Sequence, residues 1–276
     1  MNSEIKTNPR SLDGAAAPIK DAASVILVRD GASGIEVFLQ RRVKGMAFAG
    51  GMTVFPGGRV DSADGSPDIG WSGPSPEWWG RQWGTDSATS RQLVLAAVRE
   101  TFEECGVLLA GPSADGAVST PPGGIEGREM LERHKLSFSD YLRREKLIVL
   151  SGMLKPWSNW ITPSVEPRRY DTRFFVAALP AGQIADDATS EADAAEWMSP
   201  TDAIQSWCDG TSMLLPPTWS QLHSLCAFDS VSDVMESRRI VDTVIPEIVQ
   251  DVGAGPLLFP GSDLYIRVGG TLPWQR

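Results

Sequence analysis

The sequence predicts an α/β protein layered as a sandwich, and three observations carry the prediction. Two apolar runs of strand length, 22–29 and 35–41, flank the turn Asp30-Gly31-Ala32-Ser33-Gly34 and read as a hairpin. A long helical pattern follows over 87–105. Beyond it, segments of strand and helix character alternate.

Residues 1–20 are polar and small and read as a loose N-terminal tail; 21–276 reads as one domain. After the hairpin, 45–53 is glycine-rich and leads into Val54-Phe55-Pro56-Gly57-Gly58-Arg59-Val60-Asp61. The stretch 62–86, dense in Gly, Pro and Trp, reads as an inserted loop. Ser87 or Thr89 is the expected N-cap of the 87–105 helix, and Gly106 suits a left-handed residue just past its end. A Pro/Gly/Ser loop covers 113–124, and helical pattern covers 127–135 and 138–145. Strands are expected at 147–154, 172–179 and 195–198. Ser199-Pro200-Thr201-Asp202 opens a helix reaching Trp207, 216–228 is another, and 257–268 has strand character. The chain thus carries a C-terminal extension with extra helices. No internal repeat is visible.

The helix at 87–105 carries chemistry on one face. At about 100° per residue, Glu100, Glu103 and Glu104 fall within one arc of roughly 100°, opposite Val94, Leu95, Val98, Phe102 and Cys105. Ala96 and Ala97 flank the acidic side and leave room above it. Like charges one turn apart disfavour a helix and raise each other's pKa unless a cation intervenes. Ligands that are all oxygen select hard ions, here Mg²⁺ or Mn²⁺. Arg99 lies beside Glu103 on the wheel and can hold it in place. A bare Glu-x-x-Glu-Glu is ordinarily a solvated face. This one sits inside Arg99-Glu100-Thr101-Phe102-Glu103-Glu104-Cys105-Gly106-Val107, with a glycine turn upstream.

A net charge of −10 and a pI of about 4.8 argue against a nucleic-acid partner. An anionic small molecule would need metal ions and local arginines to reverse the field. Cys105, Cys208 and Cys226 show neither metal-type spacing nor a disulfide framework, which fits a reducing cytoplasm. His134 and His223 read as ordinary helix residues. No run approaches the roughly 18 apolar residues of a membrane span, and no signal-peptide core is seen. A homodimer is an expectation that composition leaves open.

The acidic segment, with Phe55-Pro56-Gly57-Gly58 before it, resembles the signature of the Nudix hydrolases, Gly-x5-Glu-x7-Arg-Glu-U-x-Glu-Glu-x-Gly-U, where U is bulky and apolar. The resemblance implies an α/β/α sandwich around a mixed sheet and cleavage of a pyrophosphate with a divalent cation. Forty-one positions separate Gly58 from Arg99, 27 more than the pattern has. An insertion inside the motif is similar to the branch typified by the mammalian peroxisomal coenzyme A diphosphatase. So are Leu39-Gln40-Arg41-Arg42, Trp160-Ile161-Thr162-Pro163, the segment from Arg168 to Phe175, the segment from Ser190 to Pro200, and Leu215-Pro216-Pro217-Thr218-Trp219. The resemblance covers roughly 22–230.

It implies Glu100 and Glu104 as metal ligands, Glu103 as ligand or ligand-holder, and Arg99 as the group that orients Glu103. Gly57 and Gly58 bring backbone toward metal and phosphate. The base is Glu100 or an acid from a distant loop such as Glu191. Arg41 and Arg42, just before the glycine loop, are either phosphate contacts, including the 3′-phosphate of coenzyme A, or surface charges at a strand edge. The isolated Glu of the pattern falls on Asp64 or Arg91, so that ligand is missing. Trp71, Trp78, Trp79 and Trp83 in the insertion have two readings: an aromatic wall for an adenine or acyl chain, or apolar side chains that pin the loop to the domain or to a second subunit. The last residues, Pro273-Trp274-Gln275-Arg276, differ from a peroxisomal tripeptide, which points to a bacterial or cytoplasmic setting. The implied substrate is coenzyme A or acyl-coenzyme A; ADP-ribose, NADH and oxidised nucleotides are alternatives within the family. A nucleotide-sensing module without catalysis is the alternative outside it.

Overall fold

The computed structural model describes residues 17–46, 49–248 and 257–268. In chain order its strands are β1 Ile19–Gly31, β2 Gly34–Arg42, β3 Thr53–Val54, β4 Gly57–Arg59, β5 Trp71–Ser72, β6 Ala110–Gly111, β7 Ile148–Leu150, β8 Leu154–Ile161, β9 Arg169–Ala178, β10 Ala192–Met198, β11 Thr243–Val244, β12 Glu247–Ile248 and β13 Leu257–Leu258. The helices are α1 Pro76–Trp83, α2 Ser87–Cys105, α3 Gly124–Glu132, α4 Phe138–Arg144, α5 Pro200–Cys208, α6 Pro216–Leu225, α7 Val231–Glu236 and α8 Ser262–Val268.

The main sheet runs β10-β2-β1-β9-β8-β11, with β3 added to β2 and β4 to β1. β1 and β2 form the expected hairpin, Gly31 opposite Gly34. On its other edge β1 pairs in parallel with β9, from Ile19↔Arg169 to Val28↔Ala178. The sheet is therefore mixed, and its central strand is covered on both faces. Val25 and Leu27 enter one buried cluster with α1, α2 and α4; Ile26 and Val28 enter another with α5, α6, α7 and α8. Two covered faces explain why the run reads as continuously apolar rather than alternating.

The sequence reading needs correction at several elements. The stretch 62–86 is not a plain loop: it holds β5 and α1, with Ser75 as N-cap, Pro76 in the first turn and Gly84 in the left-handed conformation after the last. The expected strand at 147–154 is two strands, β7 in a small sheet with β5 and β6, and β8 in the main sheet. The segment 257–268 is strand only at β13 and then helix α8, because Gly261-Ser262-Asp263 opens a turn that the apolar run conceals. Asp86, not Ser87 or Thr89, caps α2: its carboxylate accepts from Thr89 N at 2.9 Å. Of the expected tail, Ile19 and Lys20 belong to β1, and 1–16 lie outside the described residues. Among those described, no helix is long and apolar enough to cross a membrane.

The four tryptophans of the insertion pack into the protein. Trp79 is fully buried and Trp83 nearly so, each with its ring against Phe175 of β9 at 5.4 and 5.2 Å between centroids. Trp71 and Trp78 pack on the same cluster. Arg91 secures the insertion, donating to the carbonyls of Ser66 and Ile69 at 3.2 and 2.7 Å and lying over the Trp71 ring. Arg91 is thus a strut at a position where the Nudix pattern could have had an acid.

Candidate active site

Helix α2 lies across the sheet next to β1 and β4. Ala96 and Ala97 are fully buried there, so their small size serves close packing and not space above the acids. β4 is held against β1 with Gly58 opposite Ala23 and Gly57 opposite Ser24. At Gly57 a side chain would meet backbone, and at Gly58 it would displace the Glu100 carboxylate. A Cβ on Gly57 would lie 2.5 Å from the Ala23 carbonyl oxygen, and one on Gly58 would lie 2.4 Å from Glu100 Oε1. The Gly57 N–H donates to Glu104 Oε2 at 2.8 Å. The glycine strand and the acidic helix are thereby joined through backbone and carboxylate.

Arg99 is the hub. Its Nε and Nη2 donate to the two oxygens of Asp64 at 2.9 and 3.0 Å, and Nη2 also reaches the Arg59 carbonyl at 2.9 Å. Nη1 donates to Glu100 Oε1 at 2.8 Å and Glu103 Oε2 at 3.3 Å. Arg99 therefore holds Glu100 as well as Glu103. Asp64 is buried at 2 % exposure and grips Arg99 as a fork on a fork. It occupies the place of the isolated Glu in the pattern, one methylene shorter, with Arg99 as its partner. Burial works against the charge on Arg99, but Glu100, Asp64 and Glu103 together hold its pKa above the ordinary value.

β2 contributes by alternation. Gln40 and Arg42 share the α2 side with Phe38, while Arg41 shares the opposite side with Leu39. Gln40 Nε2 lies 3.5 Å from Glu104 Oε2. Arg42 Nη2 donates to Glu191 at 2.9 Å, and its Nη1 lies 4.0 Å from Glu104 Oε1. Arg41 pairs with Asp193 at 2.5 Å and lines no part of the cavity described below. The structure thus separates the two arginines that sequence proximity had grouped, because neighbours on a strand face opposite ways.

Five carboxylates (Asp64, Glu100, Glu103, Glu104, Glu191) meet two guanidiniums (Arg42, Arg99) here. The imbalance appears in the proton affinities. Burial pushes Glu103 up to about 8 against the pull of Arg99. Burial raises Glu104 well above the carboxylate range, with Glu100 and Glu191 adding to it. Glu100 is raised by burial, opposed by Arg99, and raised again by Glu191 and Asp64. Such a surplus of buried acid is the chemistry that a hard divalent cation neutralises. Among the described residues no three acids are gathered as a finished ligand set, and Arg99 Nη1 bridges Glu100 and Glu103. Cys105 is buried, its thiol pushed up to about 12 by that burial, and is no nucleophile.

Arg42, Arg99, Glu100, Glu103 and Glu191 open into a cavity of about 1060 Å³, whose lining does not include Asp64 or Glu104. Arg42, Gly57, Gly58, Arg99, Glu100, Glu103 and Glu191 line its polar end. Met46, Met52, Phe55, Trp160, Pro163, Leu215 and Pro216 line much of the rest. None of the insertion tryptophans reaches it, so their packing reading holds and the substrate-wall reading falls. Arg59 and Arg168 also line the cavity.

The chain is similar to an acyl-coenzyme A diphosphatase NUDT19 of Xenopus laevis, 28% identical over 84% of this chain and 72% of that protein. It is 29% identical to the protein of that name in Homo sapiens, over 86% of this chain and 74% of the relative. The crystal structure of a NUDIX hydrolase from Alicyclobacillus acidocaldarius superposes with a TM-score of 0.69 at 27% identity, covering 81% of this chain and 98% of that one. The α/β/α arrangement is thus the Nudix fold. A family model, the NUDT19 Nudix domain, matches residues 83–226. That match takes in α2 with its acids, β8 to β10 and helices α5 and α6, more than half of the chain, and by it the chain belongs to the NUDT19 branch of the Nudix hydrolases.

Proposed function

We propose that the protein is a divalent-cation-dependent pyrophosphohydrolase that cleaves coenzyme A or acyl-coenzyme A to 3′,5′-ADP and (acyl-)4′-phosphopantetheine. The observation that carries this reading is that one cavity is lined both by the acid cluster and by many apolar side chains. A pyrophosphate needs the first; a pantetheine or acyl arm suits the second. At about 1060 Å³ the cavity stands at the top of the usual range for ligand sites, which favours a large substrate. The names of the relatives point the same way.

Glu100 and Glu104, with Glu103, are the proposed holders of Mg²⁺ or Mn²⁺. The ion would neutralise the bridging phosphates and stabilise the charge that develops as the anhydride opens. The chain's own residues do the rest. Arg99, anchored by Asp64, orients Glu100 and Glu103. Gly58 leaves space for the Glu100 carboxylate at the cavity wall. Gly57 fixes Glu104 through its N–H. Glu191, on the opposite side of the acid cluster and steadied by Arg42, is the proposed acceptor of the proton from the attacking water.

A substrate panel tests this. Coenzyme A, palmitoyl-coenzyme A, 3′-dephospho-coenzyme A, ADP-ribose and NADH are incubated with MgCl₂ or MnCl₂, with and without EDTA, and products are identified by mass spectrometry. The expected result is 3′,5′-ADP from the first two, abolished by EDTA. Higher kcat/KM on ADP-ribose or NADH would replace the substrate class, and turnover insensitive to EDTA would remove the cation.

A further inference from the structure

Helix α3 lies outside the acidic motif, yet it holds the loop that delivers Glu191. We propose that Arg128 and Glu132, one turn apart on α3, are positioning residues that set the Glu191 carboxylate in the site. The inference rests on the hydrolytic reading above and adds to it the element that fixes the proton acceptor.

The loop between β9 and β10 reaches Glu191 through Asp186, Asp187, Ala188, Thr189 and Ser190, none of them in a strand or helix. α3 grips it at both ends. Arg128, only 4 % exposed, donates from Nη1 to Asp186 Oδ1 at 2.6 Å. Four residues later on the helix, Glu132 Oε1 accepts from Ser190 N at 2.9 Å and also from Ser190 Oγ. Asp186 and Ser190 are also four positions apart. Side chains four apart on a helix project to one side, so a single face of α3 spans the loop.

The loop is also tied to the acids themselves. Asp186 N donates to the Cys105 carbonyl at 3.1 Å, and Arg128 Nη2 reaches the Glu103 carbonyl at 3.3 Å. Both carbonyls belong to the last turn of α2, beside Glu104. Past Ser190, Glu191 receives Val43 N on its carbonyl at 3.0 Å and Arg42 on its carboxylate at 2.9 Å. Gly106 makes room for the clamp. A Cβ there would lie 2.8 Å from Arg128 Nη1 and 3.1 Å from Asp186 Oδ2. The residue that caps α2 is thus also the one that admits Arg128.

This arrangement has a reason in the entropy of a short irregular segment. Without outside anchors each loop residue keeps its backbone freedom, and a carboxylate on it samples positions over more than an ångström. Misplacement of that order costs about 10²-fold in rate. A buried arginine bonded to one carboxylate and one carbonyl removes the freedom far better than an exposed ion pair does.

The test measures kcat and KM on coenzyme A with MgCl₂, and melting temperature, in the full chain. The variants are Arg128→Met, Glu132→Ala, Glu132→Gln, Glu191→Gln, and Glu191→Gln combined with each of the first two. Arg128→Met and Glu132→Ala are expected to lower kcat about 10- to 100-fold with KM changed less than about threefold. Glu132→Gln keeps an accepting oxygen for Ser190 and should recover most of the rate. In the Glu191→Gln background either change should add less than about twofold, because what they position is already gone. Losses that multiply with that of Glu191→Gln, or that fall on KM alone, overturn the proposal. So does wild-type kcat in Arg128→Met and Glu132→Ala beside a crippled Glu191→Gln; that result leaves the reading of Glu191 standing. Full activity in Glu191→Gln overturns both. Should Arg128→Met fail to fold, Glu132→Ala at the solvent end of the clamp decides the question.

Discussion

Two segments outside the acidic helix pack beside it, and they end in opposite places. The segment 62–86 carries Trp71, Trp78, Trp79 and Trp83, and all four rings pack on the cluster between α2 and the sheet. The loop from Asp186 to Ser190 carries no aromatic residue, yet it delivers Glu191 to the cavity. The difference lies in what each segment can bury. A tryptophan offers 150–250 Å² of largely apolar surface, and the core takes it wherever the chain allows. A carboxylate gains nothing from the core, and stays where arginines and water, or a cation, can meet it. Aromatic density beside a motif is thus a sign of packing before it is a sign of ligand. The insertion does make one contribution to the site, and it is the least conspicuous of its residues: Asp64, which grips Arg99.

The sharpest division between the segments comes from variants that damage only chemistry or only stability. Glu104→Gln, on the helix that both segments touch, should lower kcat by about 10³-fold or more, equivalent to roughly 4 kcal/mol, with the melting temperature held or raised. A rise is reasonable because the site, buried beside Glu100 and Glu191, disfavours a charge at this position. Steady-state kinetics beside a thermal melt reads both; retention of more than about a tenth of the rate would remove Glu104 from the site. Trp79→Ala should do the reverse. Loss of a fully buried indole costs about 3–5 kcal/mol of unfolding free energy, while KM on coenzyme A stays within about twofold. A raised KM in protein still folded at the assay temperature would return the insertion to the substrate wall.

Asp64→Asn probes the one place where the insertion meets the chemistry. It leaves Arg99 its bonds to Glu100 and Glu103 but weakens the fork that fixes it. We expect kcat to fall about 10- to 100-fold with little change in KM, and a lost rate greater than that of Glu104→Gln would make Asp64 itself a ligand. The smallest contrast is within β2. Arg42→Ala should lower kcat/KM about tenfold, since it frees Glu191 from a charge-assisted bond worth roughly 1.5–3 kcal/mol. Arg41→Ala breaks an exposed pair and should change stability by less than about 1 kcal/mol and kcat/KM by less than about twofold. Equal effects from the two would contradict the strand alternation that separates them.

Much of the site was legible locally. The spacing of Glu100, Glu103 and Glu104 follows from helical period alone, and Gly57 and Gly58 from the turn chemistry before it. Arg99 beside Glu103 was visible on the same wheel. The hairpin, the acidic helix and the alternation of later elements needed only pattern. What pattern could not supply was the second partner of each pair. Nothing at 64 says that its carboxylate meets Arg99 thirty-five residues on, and nothing at 128 says that its guanidinium reaches Asp186. Helix α1 escaped because its glycines and prolines resemble a loop, although Ser75, Pro76 and Gly84 are its cap, first turn and stop. Helix α8 reads as strand in sequence because a short apolar run has no period of its own.

By itself, then, the sequence determined the local order of the molecule: which stretches coil, which extend, and where the acids converge on one face. These follow from backbone sterics and the two side-chain periods, which act over a few residues. The tertiary structure decided which face of β2 turns to the acids, and so that Arg42 and not Arg41 joins them. It decided that the insertion's tryptophans are core, that Asp64 is an anchor, and that α3 reaches Glu191. The physical reason is that burial and ion pairing depend on distance in space, and only the closed sheet with its two helical layers brings residues 64 and 99, or 128 and 186, within reach of a hydrogen bond.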